Sequence, residues 1–127
     1  MHVIRLRRPW EKSREDETGS ARIDVPETVT NAADEPATFQ YRRRFNLPSG
    51  LKPTSRVRLC VDGWQGRLES ISINGVALEI GESIVNAEIT ALLEPHNQIL
   101  VRLGGRADQP ARLSGEVTLA IEDLPIT

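Results

Sequence analysis

The sequence contains few of the side chains from which most catalytic and metal sites are built. Its 127 residues include one cysteine, Cys60, and two histidines, His2 and His96. A lone cysteine excludes an intramolecular disulfide, and two isolated histidines provide neither a zinc ligand set nor a credible general base. Cys60 lies within an alternating pattern and is predicted to be an inert, partly buried thiol. We therefore predict a protein that is not an enzyme and that uses no cofactor and no metal.

The charge and hydropathy of the chain exclude two further classes of partner. With 16 basic and 18 acidic residues, the formal net charge is −2, whereas nucleic-acid-binding proteins normally have a clear basic excess. No apolar run approaches the length that crosses a bilayer. Residues 1–8 alternate apolar and basic side chains, so they lack the unbroken apolar region of a secretory signal. We expect a cytoplasmic protein that has neither nucleic acid nor membrane as a partner.

What the sequence does contain is a succession of short alternating segments. Apolar residues recur at every second position in 57–61 and 71–73, and in 39–47 with the exception of Arg43, with mainly polar or charged residues between them. This period of two is typical of strands with one buried face. Further strands are predicted at 2–7, 76–78, 84–89, 97–103 and 112–121. About eight strands, short turns and no long helix predict an all-β, antiparallel β-sandwich that forms a single domain over residues 1–127.

Two local signals refine this architecture. Asn74-Gly75 is the strongest two-residue hairpin signal, and it predicts a tight turn between two strands. Residues 90–95 are predicted to form one helical turn, capped by Thr90 and stopped by Pro95.

Residues 11–36 are the least strand-like segment of the chain. They are rich in Asp, Glu, Ser and Thr, a composition that buries little surface, so we predict a long polar surface loop that is partly mobile. An apolar island at 23–26 is predicted to pack against the sandwich. The charged run at 14–17 is not predicted to hold calcium, because one local acidic run rarely supplies enough converging oxygens.

Six segments of the chain, taken in order, carry a family resemblance. They are IDVP (23–26), YRRRFNLP (41–48), VRLCVDG (57–63), ING (73–75), ITALLEPHN (89–97) and ILVRL (99–103). Their order and spacing resemble the N-terminal sugar-binding-like domain of family-two glycoside hydrolases, such as β-galactosidases and β-glucuronidases. The resemblance implies a jelly-roll β-sandwich of the galactose-binding-domain-like type.

The departures from the family pattern bear on function. In the hydrolases this domain precedes an immunoglobulin-like domain and a catalytic barrel, whereas this sequence ends at Thr127, so we expect a stand-alone domain without a hydrolase active site. The segment between Gly75 and Ile89 is short and lacks the aromatic, Gly-rich loop that can lean toward the catalytic pocket in the enzymes. The family also often has Trp where Phe39-Gln40 stand here. These losses argue against a retained sugar-contacting loop.

A candidate ligand site follows from the few aromatic residues. Sugar recognition in water needs a flat aromatic surface together with polar groups for the hydroxyls, and aromatic residues make up only 4% of the chain. Phe39, Tyr41 and Phe45 fall at inward positions and are predicted to be core. This leaves Trp10, just after the first strand, and Trp64.

The loop around Trp64 is the predicted ligand-binding patch. Its members are Asp62, Trp64, Gln65 and Arg67. The alternative is that Trp64 folds back over the core or fills a subunit interface.

Arg43 is the one residue that breaks the alternation of its strand. Arg42 and Arg44 fall on the outer face, whereas Arg43 falls on the apolar face, where a guanidinium must find hydrogen-bond acceptors. We predict a structural buried charge that pairs with a partner such as Asp62 or lies near a strand end. The alternative is an anion-binding site.

The leading functional hypothesis is a non-catalytic, carbohydrate-binding-like domain. The alternative is a structural or protein–protein interaction module without a sugar ligand, including a homodimer. An exposed Trp64 beside polar side chains favours a glycan. A buried Trp64 together with an exposed apolar sheet face favours a protein partner.

Overall fold

The computed structural model describes residues 2–27, 37–106 and 110–123. Within these ranges the chain forms ten β-strands and one short 3₁₀ turn. The strands are β1 (His2–Arg5), β2 (Trp10–Arg14), β3 (Ala21–Ile23), β4 (Thr38–Asn46), β5 (Ser55–Val61), β6 (Arg67–Ile73), β7 (Val76–Ala77), β8 (Val85–Glu88), β9 (His96–Gly104) and β10 (Val117–Asp123). The 3₁₀ turn spans Thr90–Leu92, between β8 and β9.

The strands assemble into two antiparallel sheets that form a sandwich. The first sheet has the strand order β1-β10-β5-β8, and the second has the order β3-β2-β4-β9-β6-β7. From β4 onward the chain crosses between the sheets at every connection except the β6–β7 hairpin, as it does in jelly rolls. The predicted all-β antiparallel sandwich is confirmed. The described residues contain ten strands instead of eight because β2 and β3 lie where a loop was predicted.

The alternating pattern located the core correctly. In β5, Val57, Leu59 and Val61 are buried, and Arg58 between them is exposed. The central strand β9 and its neighbours bury their inward side chains against the same core. Those predicted to be inward and found buried include Tyr41, Ile71, Ile73, Val117 and Leu119. The apolar segment predicted as a central strand buries Ile99, Val101 and Leu103. Phe39 and Phe45 are half-buried and pack against this core.

Trp10 lies deeper than its position after the first strand suggested. It is the first residue of β2 and is fully buried. Its indole N–H donates a hydrogen bond of 2.7 Å to the carbonyl oxygen of Leu6, as a buried indole requires. Trp10 is therefore a core residue, and Trp64 is left as the only tryptophan available for a ligand.

The segment predicted as a continuous polar loop over 11–36 contains strand structure. β2 pairs with both β3 and β4, so the loop prediction is wrong for those residues. β2 is polar apart from Trp10 and still forms a strand, because Trp10 is buried in the core and the strand pairs with β3 and β4 on its two sides. Val25 in the apolar island is buried, and its N–H donates to the carbonyl of Arg7 at 2.8 Å, which confirms that the island packs on the sandwich. Residues 28–36 of the predicted loop lie outside the described residues.

The predicted helical turn is shorter than expected and is not capped by Thr90. Ile89 occupies the N-cap position of the 3₁₀ turn and makes no side-chain capping bond. The hydroxyl of Thr90 instead accepts a hydrogen bond of 2.8 Å from the N–H of Val57. Thr90 therefore joins the turn to the start of β5.

The predicted Asn-Gly hairpin is confirmed between β6 and β7. Asn74 has φ +49° and Gly75 has φ +83°, and both residues of a type I′ turn require such left-handed values. β7 continues from this turn as the edge strand of the six-stranded sheet.

The sandwich has two ends with different sets of loops. Loop 62–67, between β5 and β6, lies beside residues 111–116, because Gln65 and Arg112 form an antiparallel bridge; we call this the Trp64 end. The 74–75 turn lies beside residues 89–97, because Asn74 bonds to both Leu92 and Asn97; we call this the Asn97 end. β6 runs from one set of loops to the other, so the two lie at opposite ends.

The described part of the chain contains no helix that is long and apolar enough to span a bilayer.

Candidate functional site

A buried carboxylate, Glu27, lies at the Trp64 end and was not recognised in the sequence. One of its carboxylate oxygens accepts hydrogen bonds from the Tyr41 hydroxyl at 2.5 Å and from the Leu113 N–H at 2.9 Å. Its other oxygen is 2.9 Å from the ammonium of Lys12. The backbone carbonyl of Glu27 accepts from the Arg112 guanidinium at 3.2 Å. The charge is thus paired and hydrogen-bonded, as burial requires.

Lys12 completes this cluster from β2. Its ammonium is 4.5 Å from the centroid of the Phe39 ring and 5.1 Å from that of Tyr41, distances at which cation–π attraction operates. The side chains of Lys12 and Glu27 are only 13% and 3% exposed. The cluster is therefore closed to ligands, and it joins β2 and β4 to the loops of the Trp64 end.

Tyr41 makes this cluster sensitive to alkaline pH. Burial first, then the nearby charge of Glu27 and the hydrogen bond to it, raise the pKa of Tyr41 well above its ordinary value of 10.0. The pKa of Tyr41 is higher in the folded state than in the unfolded state. The contribution of the protonated Tyr41 to the free energy of unfolding is therefore complete below about pH 10. It is lost progressively as the pH rises further, because the unfolded tyrosine then ionises while the folded one does not.

We expect the free energy of unfolding to fall above about pH 10 by up to about 1.4 kcal/mol per pH unit from this group. Tyr41 is the only tyrosine in the chain, so Tyr41→Phe removes this part of the pH dependence completely. Denaturant unfolding of both proteins at several pH values between 8 and 11 measures the difference. If the free energy of unfolding falls with pH equally steeply in the two proteins, the pKa of Tyr41 is not raised by folding.

The predicted ligand residues lie together at the Trp64 end, but they differ in solvent exposure and in their contacts within the protein. Asp62 and Arg67 are exposed, whereas Trp64 and Gln65 are half-buried. Trp64 packs against the hydrophobic core and still presents part of its indole to solvent. The guanidinium of Arg67 pairs with Glu69 at 2.7 Å.

Gln65 is fully engaged within the protein. Its backbone exchanges hydrogen bonds of 2.8 and 3.2 Å with Arg112, and its side-chain oxygen accepts from the Arg112 Nε at 2.5 Å. The same guanidinium reaches the carbonyl of Glu27. Arg112 therefore braces loop 62–67 on the buried cluster, and Gln65 acts as part of this brace.

Gly66 brings the loop close to the end of β9. Its φ is +90°, and a Cβ atom at this position would lie 2.4 Å from the carbonyl oxygen of Gly104. Only glycine fits such an approach. The backbone that follows Trp64 is thus fixed by Gly66 and by the Arg112 brace, and the carbonyl of Gly63, just before Trp64, accepts a hydrogen bond of 3.0 Å from the Gly115 N–H.

Two residues that carried the family resemblance, Asn74 and Asn97, meet at the opposite end. The buried Asn97 oxygen accepts from the Glu94 N–H at 2.8 Å and from the Asn74 amide at 2.9 Å. Its amide nitrogen donates to the carbonyls of Glu94 at 2.7 Å and Phe45 at 3.4 Å. These two motif residues are therefore structural: they hold the hairpin, the turn after β8 and the end of β4 together.

An open depression of about 540 Å³ lies at the Asn97 end. It is lined by Arg43, Arg44, Phe45, Asn46, His96 and Asn97. The lining contains two arginines and no carboxylate. Nδ1 of His96 lies 3.0 Å from Oδ1 of Asn46, which orients the imidazole ring at the rim.

Arg43 faces inward as predicted, but Asp62 is not its partner. Arg43 stands opposite the buried Ile99 in the register of β4 and β9. Asp62 follows β5 at the Trp64 end, on the far side of the sandwich from the end of β4. The Nη1 group of Arg43 donates to the carbonyl of Arg44. Its position three residues before the end of β4 agrees with the predicted strand-end explanation.

Cys60 is half-buried on β5. Burial is the main cause of the rise in the pKa of its thiol, and a raised pKa lowers the fraction of reactive thiolate. Among the described residues, no three His, Cys, Asp or Glu side chains are grouped so that they could hold a metal ion.

The fold defines a class of protein domain, the jelly-roll β-sandwich, which solved glycosidases contain. The chain superposes on a β-D-mannosidase from Dictyoglomus thermophilum with a TM-score of 0.76 and 14% identity, covering 94% of this chain and 22% of that one. An FMN-binding β-glucuronidase from Facaelibacterium prausnitzii gives a TM-score of 0.73 and 22% identity, covering 93% and 22%. A Bifidobacterium dentium β-glucuronidase complexed with coumarin-3-O-glucuronide gives 0.74 and 15%, covering 96% and 30%.

These likenesses establish a shared fold. The predicted resemblance to a domain of family-two glycosidases is confirmed at that level, and the chain spans about a fifth of the mannosidase to which it is similar. No protein-family model and no curated protein sequence matches the chain.

Proposed function

We propose that this chain is a non-catalytic, carbohydrate-binding-like domain that works as part of a sugar-active system. Two findings support this. The structural neighbours are a β-mannosidase and β-glucuronidases, and the matched part is only 18% to 30% of their chains. A domain that forms so small a part of a hydrolase fits a role in binding or support better than a role in catalysis.

The proposed binding surface is the Trp64 end, with Trp64 as the stacking platform. The observation that carries this proposal is the partly buried Trp64, which packs on the core and is flanked by the exposed Asp62 and Arg67. An aromatic face in this setting packs on the apolar face of a pyranose, and nearby polar groups bond its hydroxyls. Gln65 serves this surface indirectly, since it fixes the loop through Arg112.

Rigidity of the loop favours binding because little conformational entropy remains to be lost. Arg112 and Gly66 hold the loop in place before any ligand arrives. The buried Glu27 cluster lies beneath this brace and supplies the acceptor for Arg112. The ligand-facing groups are therefore Trp64, Asp62 and the part of Arg67 that its ion pair with Glu69 leaves accessible.

Calorimetric titration with neutral and acidic mono- and oligosaccharides tests the proposal. We expect at least one sugar to bind, and Trp64→Ala to weaken its binding about fivefold or more, since stacking contributes roughly 1 kcal/mol or more. Asp62→Ala, at an exposed position, is expected to weaken binding without altering stability. Glu122→Gln, exposed on the strand β10, is the control and is expected to bind like the wild type.

Binding of no sugar would contradict the proposal, as would equal affinities for the wild type, Trp64→Ala and Asp62→Ala. Hydrolysis of nitrophenyl glycosides by the purified chain would contradict its non-catalytic part. Thermal unfolding of Trp64→Ala must be measured in parallel, because Trp64 also packs on the core.

A second candidate function is a structural or protein–protein interaction module. The observation that favours it is a set of exposed apolar side chains in the segment that begins at the edge strand β7: Val76, Ile80 and Ile84 are 44%, 42% and 55% exposed. Exposed apolar side chains close to one another are typical of protein contacts. A stable dimer in light scattering, combined with no response to any sugar, would favour this function over carbohydrate binding.

A further inference from the structure

We propose that the depression at the Asn97 end binds the oxyanion of a small ligand, a carboxylate or a phosphate group, through Arg43. This site lies at the opposite end of the sandwich from loop 62–67. It is therefore independent of the proposed carbohydrate site, and a result that contradicts one proposal does not affect the other.

The first observation is the unsatisfied guanidinium of Arg43. Its Nε is buried and has no hydrogen-bond partner among the described residues. Its Nη1 donates only to a backbone carbonyl, that of Arg44. A buried N–H of a charged group without an acceptor is costly. An oxyanion bound in the depression, which Arg43 lines, would give this guanidinium an acceptor that the described residues do not supply.

The second observation is the balance of charge around the depression. Neither Arg43 nor Arg44 forms an ion pair within the described part of the chain, although most other arginines there pair with carboxylates, as Arg42 does with Glu11 and Arg102 with Glu15. No lining side chain is acidic. Burial also lowers the pKa of Arg43, with no neighbouring carboxylate to oppose the shift. Among the described residues, neither arginine that lines the depression thus has a carboxylate within ion-pair distance, and Glu11 acts on Arg44 only at longer range.

The third observation is the shape and the supporting structure. A volume of about 540 Å³ falls in the range of small-molecule sites. Asn97 fixes the wall through its four hydrogen bonds, and Phe45 gives one apolar surface. The imidazole of His96, oriented by Asn46, adds a polar group at the rim. A planar guanidinium is the group best suited to grip a carboxylate or a phosphate.

The experiment is a set of calorimetric titrations at constant ionic strength. Glucuronate, glucose 6-phosphate, glucose and inorganic phosphate are added separately to the wild type. We expect binding of one or more of the three anions and none of glucose at this site. Binding of glucuronate alone identifies a carboxylate ligand, binding of both sugar anions identifies a sugar-linked oxyanion, and binding of phosphate identifies a free oxyanion.

Three variants locate the binding. Arg43→Met keeps much of the volume of the stem and is expected to weaken anion binding about tenfold or more. It should leave the melting temperature unchanged or higher, because it removes an unsatisfied polar group. Arg44→Gln, at an exposed position, is expected to weaken binding without any risk to folding. Arg58→Gln on β5 removes an equal charge elsewhere and is expected to bind anions within about twofold of the wild type.

Three results would overturn the proposal. One is that the wild type binds none of the anions, and another is that Arg58→Gln loses as much affinity as Arg43→Met or Arg44→Gln. The third is that Arg43→Met lowers stability while Arg44→Gln leaves anion affinity unchanged, which would assign Arg43 a purely structural role. Trp64→Ala should not alter anion binding. The anion titrations therefore test the Asn97 end even if no sugar binds at the Trp64 end.

Discussion

Glu27→Ala is expected to lower the free energy of unfolding by about 3–5 kcal/mol, the usual cost of breaking a buried ion pair by removing one partner. The substitution leaves the Lys12 ammonium, in a side chain only 13% exposed, without its counter-charge. It also leaves the Tyr41 hydroxyl and the Leu113 N–H without their acceptor. Urea unfolding followed by tryptophan fluorescence measures the change.

Glu17→Gln is the matched control for Glu27→Ala. Glu17 also pairs with a basic residue, Arg14, at 3.9 Å, but its side chain is 65% exposed. Exposed pairs contribute little, so this variant should unfold like the wild type. A loss of less than about 1 kcal/mol in Glu27→Ala, the range of exposed pairs, would mean that the cluster is not an essential part of the fold. Lys12→Met, alone and combined with Glu27→Ala, gives the coupling energy of the pair.

Asn97→Ala is expected to cost roughly 1–3 kcal/mol, since two backbone groups lose hydrogen bonds that contribute about 0.5–1.5 kcal/mol each. Those groups are the N–H and the carbonyl of Glu94. Asn74 also loses a hydrogen bond, although its own bonds to Leu92 and Gln98 stay in place. The expected effect is a destabilised Asn97 end with an intact six-stranded sheet.

Asn86→Ala is the control for the asparagine substitution. Asn86 lies exposed on β8, and its side chain accepts a hydrogen bond from Arg58, so its removal should have little effect. Equal stabilities of Asn97→Ala and the wild type would contradict a structural role for Asn97. Hydrogen exchange should show faster exchange of the amides near residue 94 in Asn97→Ala, and no such change in Asn86→Ala.

Much of the fold was predictable because several of its strands alternate. In β5 a residue's inward or outward direction follows from its parity in the sequence, so Val57 and Leu59 could be placed without a structure. The Asn74-Gly75 turn was predictable for a similar reason, since few residue pairs adopt two left-handed conformations in succession. These signals are local, and local signals can be read from a sequence.

The buried cluster could not be predicted because its residues are far apart and individually ordinary. Glu27 and Lys12 stand in a polar segment whose composition is typical of a loop. The only apolar residue that pointed to a strand with one buried face was Trp10, two positions before Lys12. The partners of Glu27 come from residues 41 and 113. Which strands lie side by side depends on the order of the sheet, and composition contains no information about that order.

For the candidate sites too, some features could be predicted from the sequence and others required the structure. Grouping Asp62, Trp64, Gln65 and Arg67 required only that they follow one another in one loop, so their closeness could be predicted from the sequence. The roles of Gln65 and Arg67 required knowledge of Arg112 and Glu69, which they contact. Arg43 was recognised as an anomaly by parity alone, but the end of the sandwich at which it lies, away from Asp62, depends on the topology.

The most direct test of the central claim, that the braced Trp64 end is a carbohydrate-binding surface, is a ¹H–¹⁵N correlation spectrum recorded during titration with a panel of sugars. The chain has two tryptophans, and the indole N–H of Trp10 is buried and bonded to Leu6, so it serves as an internal reference. We predict that a binding sugar shifts the indole signal of Trp64 and the amides of 62–67 while the Trp10 indole stays in place. No shift of the Trp64 signals with any sugar, or shifts confined to the β7 edge, would contradict the claim.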